Sequence, residues 1–99
     1  MIVVFASAIV QTDAIETVME LAKVCAETTR QESGCLSYAF YISVENPNQF
    51  IAFEEWKDSA ALEAHLQTEH VQTFFAGLTP HLTAPPQITR YEVAGREAL

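Results

Sequence analysis

The sequence predicts an α+β fold in which an antiparallel sheet carries its helices on one face, and three observations predict it. Four segments are rich in β-branched and aromatic residues at strand spacing. Helical periodicity with capping residues fills the stretch between the first two and the stretch before the last. The first and third strand segments are apolar at both parities, the pattern of strands buried on both faces.

Taken in order, "MIVVFASAIV" is the first of these strands. Asp13, with Glu16 three residues on, predicts an N-cap with a partial capping box. The helix that follows places Ile15, Val18, Ala22 and Cys25 on one stripe, flanked by Leu21 and Val24, and Gly34 stands where a left-handed C-terminal cap belongs. In "CLSYAFYISVE" alternation puts Leu36, Tyr38, Phe40 and Ile42 on one face and Cys35, Ser37, Ala39, Tyr41 and Ser43 on the other. "NPN" is turn chemistry and predicts a hairpin into "QFIAFEEW", where Phe50, Ala52, Glu54 and Trp56 share a face. Asp58 or Ser59 caps "SAALEAHLQ", and Thr68 restarts a helix with Val71, Phe74, Phe75 and Leu78 as its stripe. "TPHLTAPP" is a loop, and "QITRYEV" is a fourth, more polar strand.

The order β-α-β-β-α-β is the ferredoxin-like plan, and right-handed crossovers place the first and third strands centrally. The chain reads as a single domain over 1–99, with an ordered core to about residue 94 and a mobile tail over 95–99. Because the helices cover one sheet face only, the other face of the apolar central strands needs a cover. A second copy packed sheet against sheet supplies it, so a homodimer is expected.

Composition narrows the function. The net charge is −8, and the five basic residues, Lys23, Arg30, Lys57, Arg90 and Arg96, are scattered. Without a basic stripe to neutralise phosphates, nucleic acid and anionic membrane surfaces are excluded as partners. Cys25 and Cys35 form no C-x-x-C pair, and no secretory signal pattern precedes them, which predicts reduced thiols and a cytoplasmic protein. No hydrolase elbow, P-loop or dinucleotide fingerprint occurs.

The residues that could carry chemistry cluster in "EEWKDSAALEAHLQTEH". Leu62 and Leu66 flank His65 on the helical wheel, so its ring should face the sheet, near Glu54 and Trp56. Two readings stand on the residues alone. His65 is a core histidine bonded to Glu54 or a backbone carbonyl, or it is a proton acceptor in a pocket. His65 and His70 lie five apart, about 140° around a continuous helix, so the spacing predicts no shared ion and no metal site.

Three motifs, "E-x-G-C-L-x-Y", "E-x-W" and "A-L-x-A-H-L-x-T-x-H", occur in that order from Glu32 to Phe75. This segment resembles the antibiotic biosynthesis monooxygenase family of dimeric α+β barrels. The resemblance implies the fold, a homodimer, and an enzyme that oxidises a small quinol or polyphenolic aromatic with O₂ and needs no cofactor. It implies His65 as the proton acceptor with Glu54 as its partner. Trp56, Tyr38, Tyr41, Phe74 and Phe75 are then the candidate substrate-binding residues. Tyr38 and Tyr41 point to opposite faces, so at most one should share the pocket with His65. Phe75 and Ser7 stand where the haem-degrading branch is expected to carry its iron-binding histidine and catalytic asparagine, which argues against that branch. Two alternatives remain: an isomerase of a small (phospho)hydroxy-dione, with Arg90 as the pocket cation, and a non-catalytic ligand-binding dimer module with no cavity beside His65.

Overall fold

A computed structural model describes residues 1–99. The elements are β1 (Ile2–Ile9), α1 (Ile15–Thr29), β2 (Cys35–Ile42), β3 (Gln49–Trp56), α2 (Ser59–Leu66), α3 (Glu69–Leu78) and β4 (Gln87–Glu92). Short 3-10 turns occupy Thr12–Ala14 and Thr79–His81. The sheet order is β2-β3-β1-β4 and every pair is antiparallel. The strands that are apolar at both parities are thus the central pair, and the α+β ferredoxin-like architecture is as expected.

Register decides which side chains meet the helices. Ile2, Val4 and Ala6 of β1 lie opposite Trp56, Glu54 and Ala52 of β3, and Tyr38 and Phe40 of β2 flank the same β3 residues. Against this face packs the buried stripe of α1, Val18, Ala22, Cys25 and Ala26, together with Leu62 of α2 and Val71, Phe74 and Leu78 of α3. The opposite sheet face carries Phe5, Tyr41, Phe53 and Tyr91, all exposed in the single chain.

Three local expectations are corrected. Asp13 sits inside the 3-10 turn that precedes α1, and α1 begins without a side-chain cap. A bulge between Cys35 and Ser37 shifts the start of β2 by one residue: Cys35 pairs with Trp56, and Leu36 is left largely exposed. One extra residue is enough to exchange faces, because side chains alternate with a period of two. Finally, Gly34 does not end α1 in a left-handed conformation, since no residue has positive φ. Glycine is required there by a close approach instead: a Cβ at Gly34 would run into the side chain and backbone of Ala61 on α2.

That contact seats the helix bearing His65. Gly34→Ala should therefore lower stability by about 1–3 kcal/mol, the usual cost of overpacking. Urea unfolding of the variant measures it, and a midpoint equal to the parent's would show that α2 moves aside freely.

Candidate functional site

The break between α2 and α3 shapes the site. Asp58 caps α2 through Ala61 N–H at 2.8 Å, the helix ends at Leu66, and Thr68 accepts from Val71 N–H to start α3. His65 is in the last turn of α2 and His70 in the first turn of α3, so the two rings are not fixed at continuous-helix spacing. Both reach the same carboxylate. His65 Nδ1 lies 2.7 Å from Glu32 Oε2, and His70 Nε2 lies 2.9 Å from that same oxygen. The expectation that these histidines diverge is overturned, because it assumed one uninterrupted helix.

His65 is held on several sides. Its ring packs on the Trp56 indole with centroids 4.5 Å apart, and Tyr38 meets it edge-on at 5.5 Å. The ring is 3% exposed. With Nδ1 donating to the Glu32 carboxylate, the tautomer is set and Nε2 keeps its lone pair. Nε2 has no hydrogen-bond partner in the chain, yet no buried side-chain nitrogen or oxygen is unpartnered. It therefore retains some accessible surface, and His65 lines a cavity. Burial pushes the imidazole below its ordinary pKa, against the opposing pull of Glu32.

That cavity has a volume of about 190 Å³. Its origin is legible in the register. Ala6 pairs with Ala52 at the centre of the sheet, so two methyl groups stand where large side chains would otherwise meet the helices. Phe40, Phe74 and Phe75 enclose the space, with Ile88 and Arg90 of β4 also on its wall. For scale, an apolar cavity of ~150 Å³ holds a benzene. One aromatic ring fits within this chain.

Glu54 also borders the cavity. It is not the partner of His65; that role falls to Glu32. Its Oε1 accepts the Trp56 indole N–H at 3.0 Å, because the two residues alternate on the same face of β3. The other oxygen has no partner in the chain, and by the same reasoning it keeps accessible surface. Burial raises the Glu54 pKa to about 7, with Trp56 opposing and the charge of Glu32 assisting. Two proton-exchanging groups thus border one apolar space, an arrangement suited to acid–base chemistry on an aromatic guest.

The aromatic candidates divide. Tyr38, Phe74 and Phe75 line the cavity. The Tyr38 hydroxyl is 3.6 Å from Cys25 Sγ, which in turn is 3.8 Å from Thr29 Oγ1, so this residue presents its ring and not its O–H. Trp56 is fully buried behind His65, and its N–H is committed to Glu54, so it supports the site without forming a wall. Tyr41 lies on the opposite sheet face and is 55% exposed, since it stands three positions, an odd offset, after Tyr38. Arg90 reaches the cavity, but its guanidinium donates to Glu63 Oε1 at 2.8 Å. The residue that sequence reasoning missed is Glu32. It lies 33 positions before His65, where no periodic pattern links them, and its signal was its place at the head of the "E-x-G-C" motif.

Comparisons with known proteins give the family and the fold. The sequence model of a family described as "Antibiotic biosynthesis monooxygenase" matches residues 1–77. A Synechocystis protein described as "Uncharacterized protein sll1783" is 35% identical over 98 residues, 99% of this chain and 67% of that protein. A Bacillus subtilis protein named "Putative monooxygenase YcnE" is 33% identical over 94 residues, 95% of this chain and 99% of that protein. A solved structure described as "Crystal structure of antibiotic biosynthesis monooxygenase" superposes with a TM-score of 0.90 at 30% identity, covering 96% of this chain and all of that one.

Proposed function

The chain belongs to the antibiotic biosynthesis monooxygenase family, and from that premise we propose that it oxidises a small quinol or polyphenolic aromatic with O₂, without a cofactor. The observation that carries the reading is His65. Glu32 holds one ring nitrogen, the other has no partner in the chain, and the residue lines a cavity of one-ring size.

The chemistry needs little else. Ground-state O₂ is a triplet and reacts slowly with a closed-shell phenol, whereas a quinolate gives up an electron readily. His65 Nε2 takes a phenolic proton, and the anion reduces O₂ to superoxide. The semiquinone and superoxide recombine to a peroxide at a ring carbon, which is protonated to the hydroperoxide. Loss of that carbon's proton to Glu54, with departure of the distal oxygen as water, leaves a new carbonyl. A benzene-diol plus O₂ gives a hydroxyquinone plus water, so all four electrons come from the substrate. The apolar walls keep bulk water from the anion and its radical partner.

The experiment is aerobic turnover of a reduced monocyclic quinol by metal-stripped protein, followed by quinone absorbance and O₂ uptake. A rate no faster than autoxidation would refute the proposal. The isomerase alternative predicts anaerobic activity. An isomerase of a phosphorylated substrate also calls for a cation in the pocket, and Arg90 on the cavity wall is paired with Glu63.

The reading includes a homodimer. Phe5, Phe53, Tyr41 and Tyr91 form an apolar sheet face, and a large uncovered apolar patch is unfavourable in water. A second copy laid on it buries these rings. Phe53→Lys would place a charge in the middle of that interface, so the variant should elute as a monomer where the parent elutes as a dimer. Light scattering at matched concentration decides it.

A further inference from the structure

We propose that Glu32, His65 and His70 form a binding site for a zinc-like divalent transition-metal ion, and that an ion bound there silences His65 as a base. The three candidate ligand atoms, Glu32 Oε2, His65 Nδ1 and His70 Nε2, lie within 4.8 Å of one another. They come from three separate segments: the turn after α1, the end of α2 and the start of α3. Two imidazoles and a carboxylate suit zinc, cobalt or nickel and are poorly matched to calcium or magnesium, which prefer all-oxygen sites.

The surroundings favour an ion. His65 is seated against Trp56 and Tyr38. His70 and Glu32 are 20% and 18% exposed, which gives an ion a route in from solvent. His70 opens on a groove between α1 and α3 that is also lined by Glu20 and Glu69. Their carboxylates, on a chain of net charge −8, raise the local concentration of cations. Three protein ligands leave a fourth position for water. The present separations of 2.7 and 2.9 Å are hydrogen bonds. A tetrahedral ion with ~2.0–2.1 Å bonds sets its ligands ~3.3 Å apart, so each histidine must open from Glu32 by roughly half an ångström and the two imidazole nitrogens, now within 4.8 Å, must settle at that same spacing.

The cavity and the groove are separate spaces that meet at this cluster: His65 borders the first and His70 the second. An ion on Nδ1 forces the remaining imidazole proton onto Nε2. Nε2 then changes from acceptor to donor and can no longer take a proton from a guest. This second clause rests on the function proposed above; binding of the ion does not.

Calorimetric titration of the metal-free protein with Zn²⁺ tests the site, with Co²⁺ absorption reporting coordination. One ion per chain is expected. His70→Ala and Glu32→Gln should each weaken binding by at least about 100-fold, since outer-shell changes alone cost ~10–100-fold. His81→Ala, in the loop before β4, should leave affinity unchanged. Equal affinity in parent, His70→Ala and Glu32→Gln, each shown folded by circular dichroism, would overturn the site. Nitrogen-15 NMR of the His65 ring tests silencing without turnover. A protonated Nε2 in the zinc form supports it, and an Nε2 that stays unprotonated refutes it. Failure of the quinol assay would remove the oxidation reading and leave both of these results standing.

Discussion

His65→Ala is expected to lower turnover of a reduced quinol by about 10²–10⁴-fold, the usual contribution of a positioned general base. No other group can replace it easily. Glu54 is the second proton acceptor at the cavity, but one of its oxygens is held by the Trp56 indole. Glu32 lies on the far side of the imidazole and reaches the cavity only through it. The variant should fold, because Glu32 keeps its bond to His70 and the sheet register does not involve the imidazole. Glu32→Gln makes a sharper companion. Its amide oxygen can still accept from Nδ1–H and hold the tautomer, so it should retain more activity than Glu32→Ala, which frees the ring. If His65→Ala turns over as fast as the parent, the base assignment fails whatever the substrate proves to be.

Much of the fold was readable because patterning and topology agree. Only a central strand is apolar on both faces, and β1 and β3 are central. Corrections fell where one residue or one contact overrides a pattern. The bulge at Cys35 reversed the faces at the start of β2. Gly34 answers to Ala61, a residue 27 positions away that no capping rule considers. For the site, period-two alternation separated Tyr38 from Tyr41 correctly but could not say which one lay beneath the helices. The same alternation put Glu54 and Trp56 together without revealing that they bond each other. Glu32 was invisible as a partner because it sits in a turn, where spacing carries no directional information. Thr68 is legible as a cap, yet its consequence, two histidines converging on one carboxylate, needs the three-dimensional path of the chain.

Glu54→Gln should make the protein more stable at alkaline pH and less active at the same time. Glu54 is buried on the central strand β3, opposite Val4 on one side and Tyr38 on the other. Its folded pKa of about 7 stands above the ordinary carboxylate value near ~4.3, with burial as the main cause. Below the lower value the group is protonated in both folded and unfolded chains and has no pH effect. Between the two values the folded chain binds more protons than the unfolded one, so stability falls as pH rises. Above about 7 the full cost of a buried charge is present, on the order of 3 kcal/mol for a shift of this size. Glutamine keeps an oxygen for the Trp56 N–H and has no proton to lose. Melting temperatures of the parent should therefore drop between about pH 5 and pH 8, while those of the variant stay flatter and lie above the parent's at the alkaline end. Turnover moves the other way. The parent's rate should rise through about pH 7 as Glu54 becomes an acceptor, and the variant should lose that limb and run slower throughout. A carboxylate serving packing alone would give the gain in stability with no loss of rate, and that outcome would remove Glu54 from the chemistry.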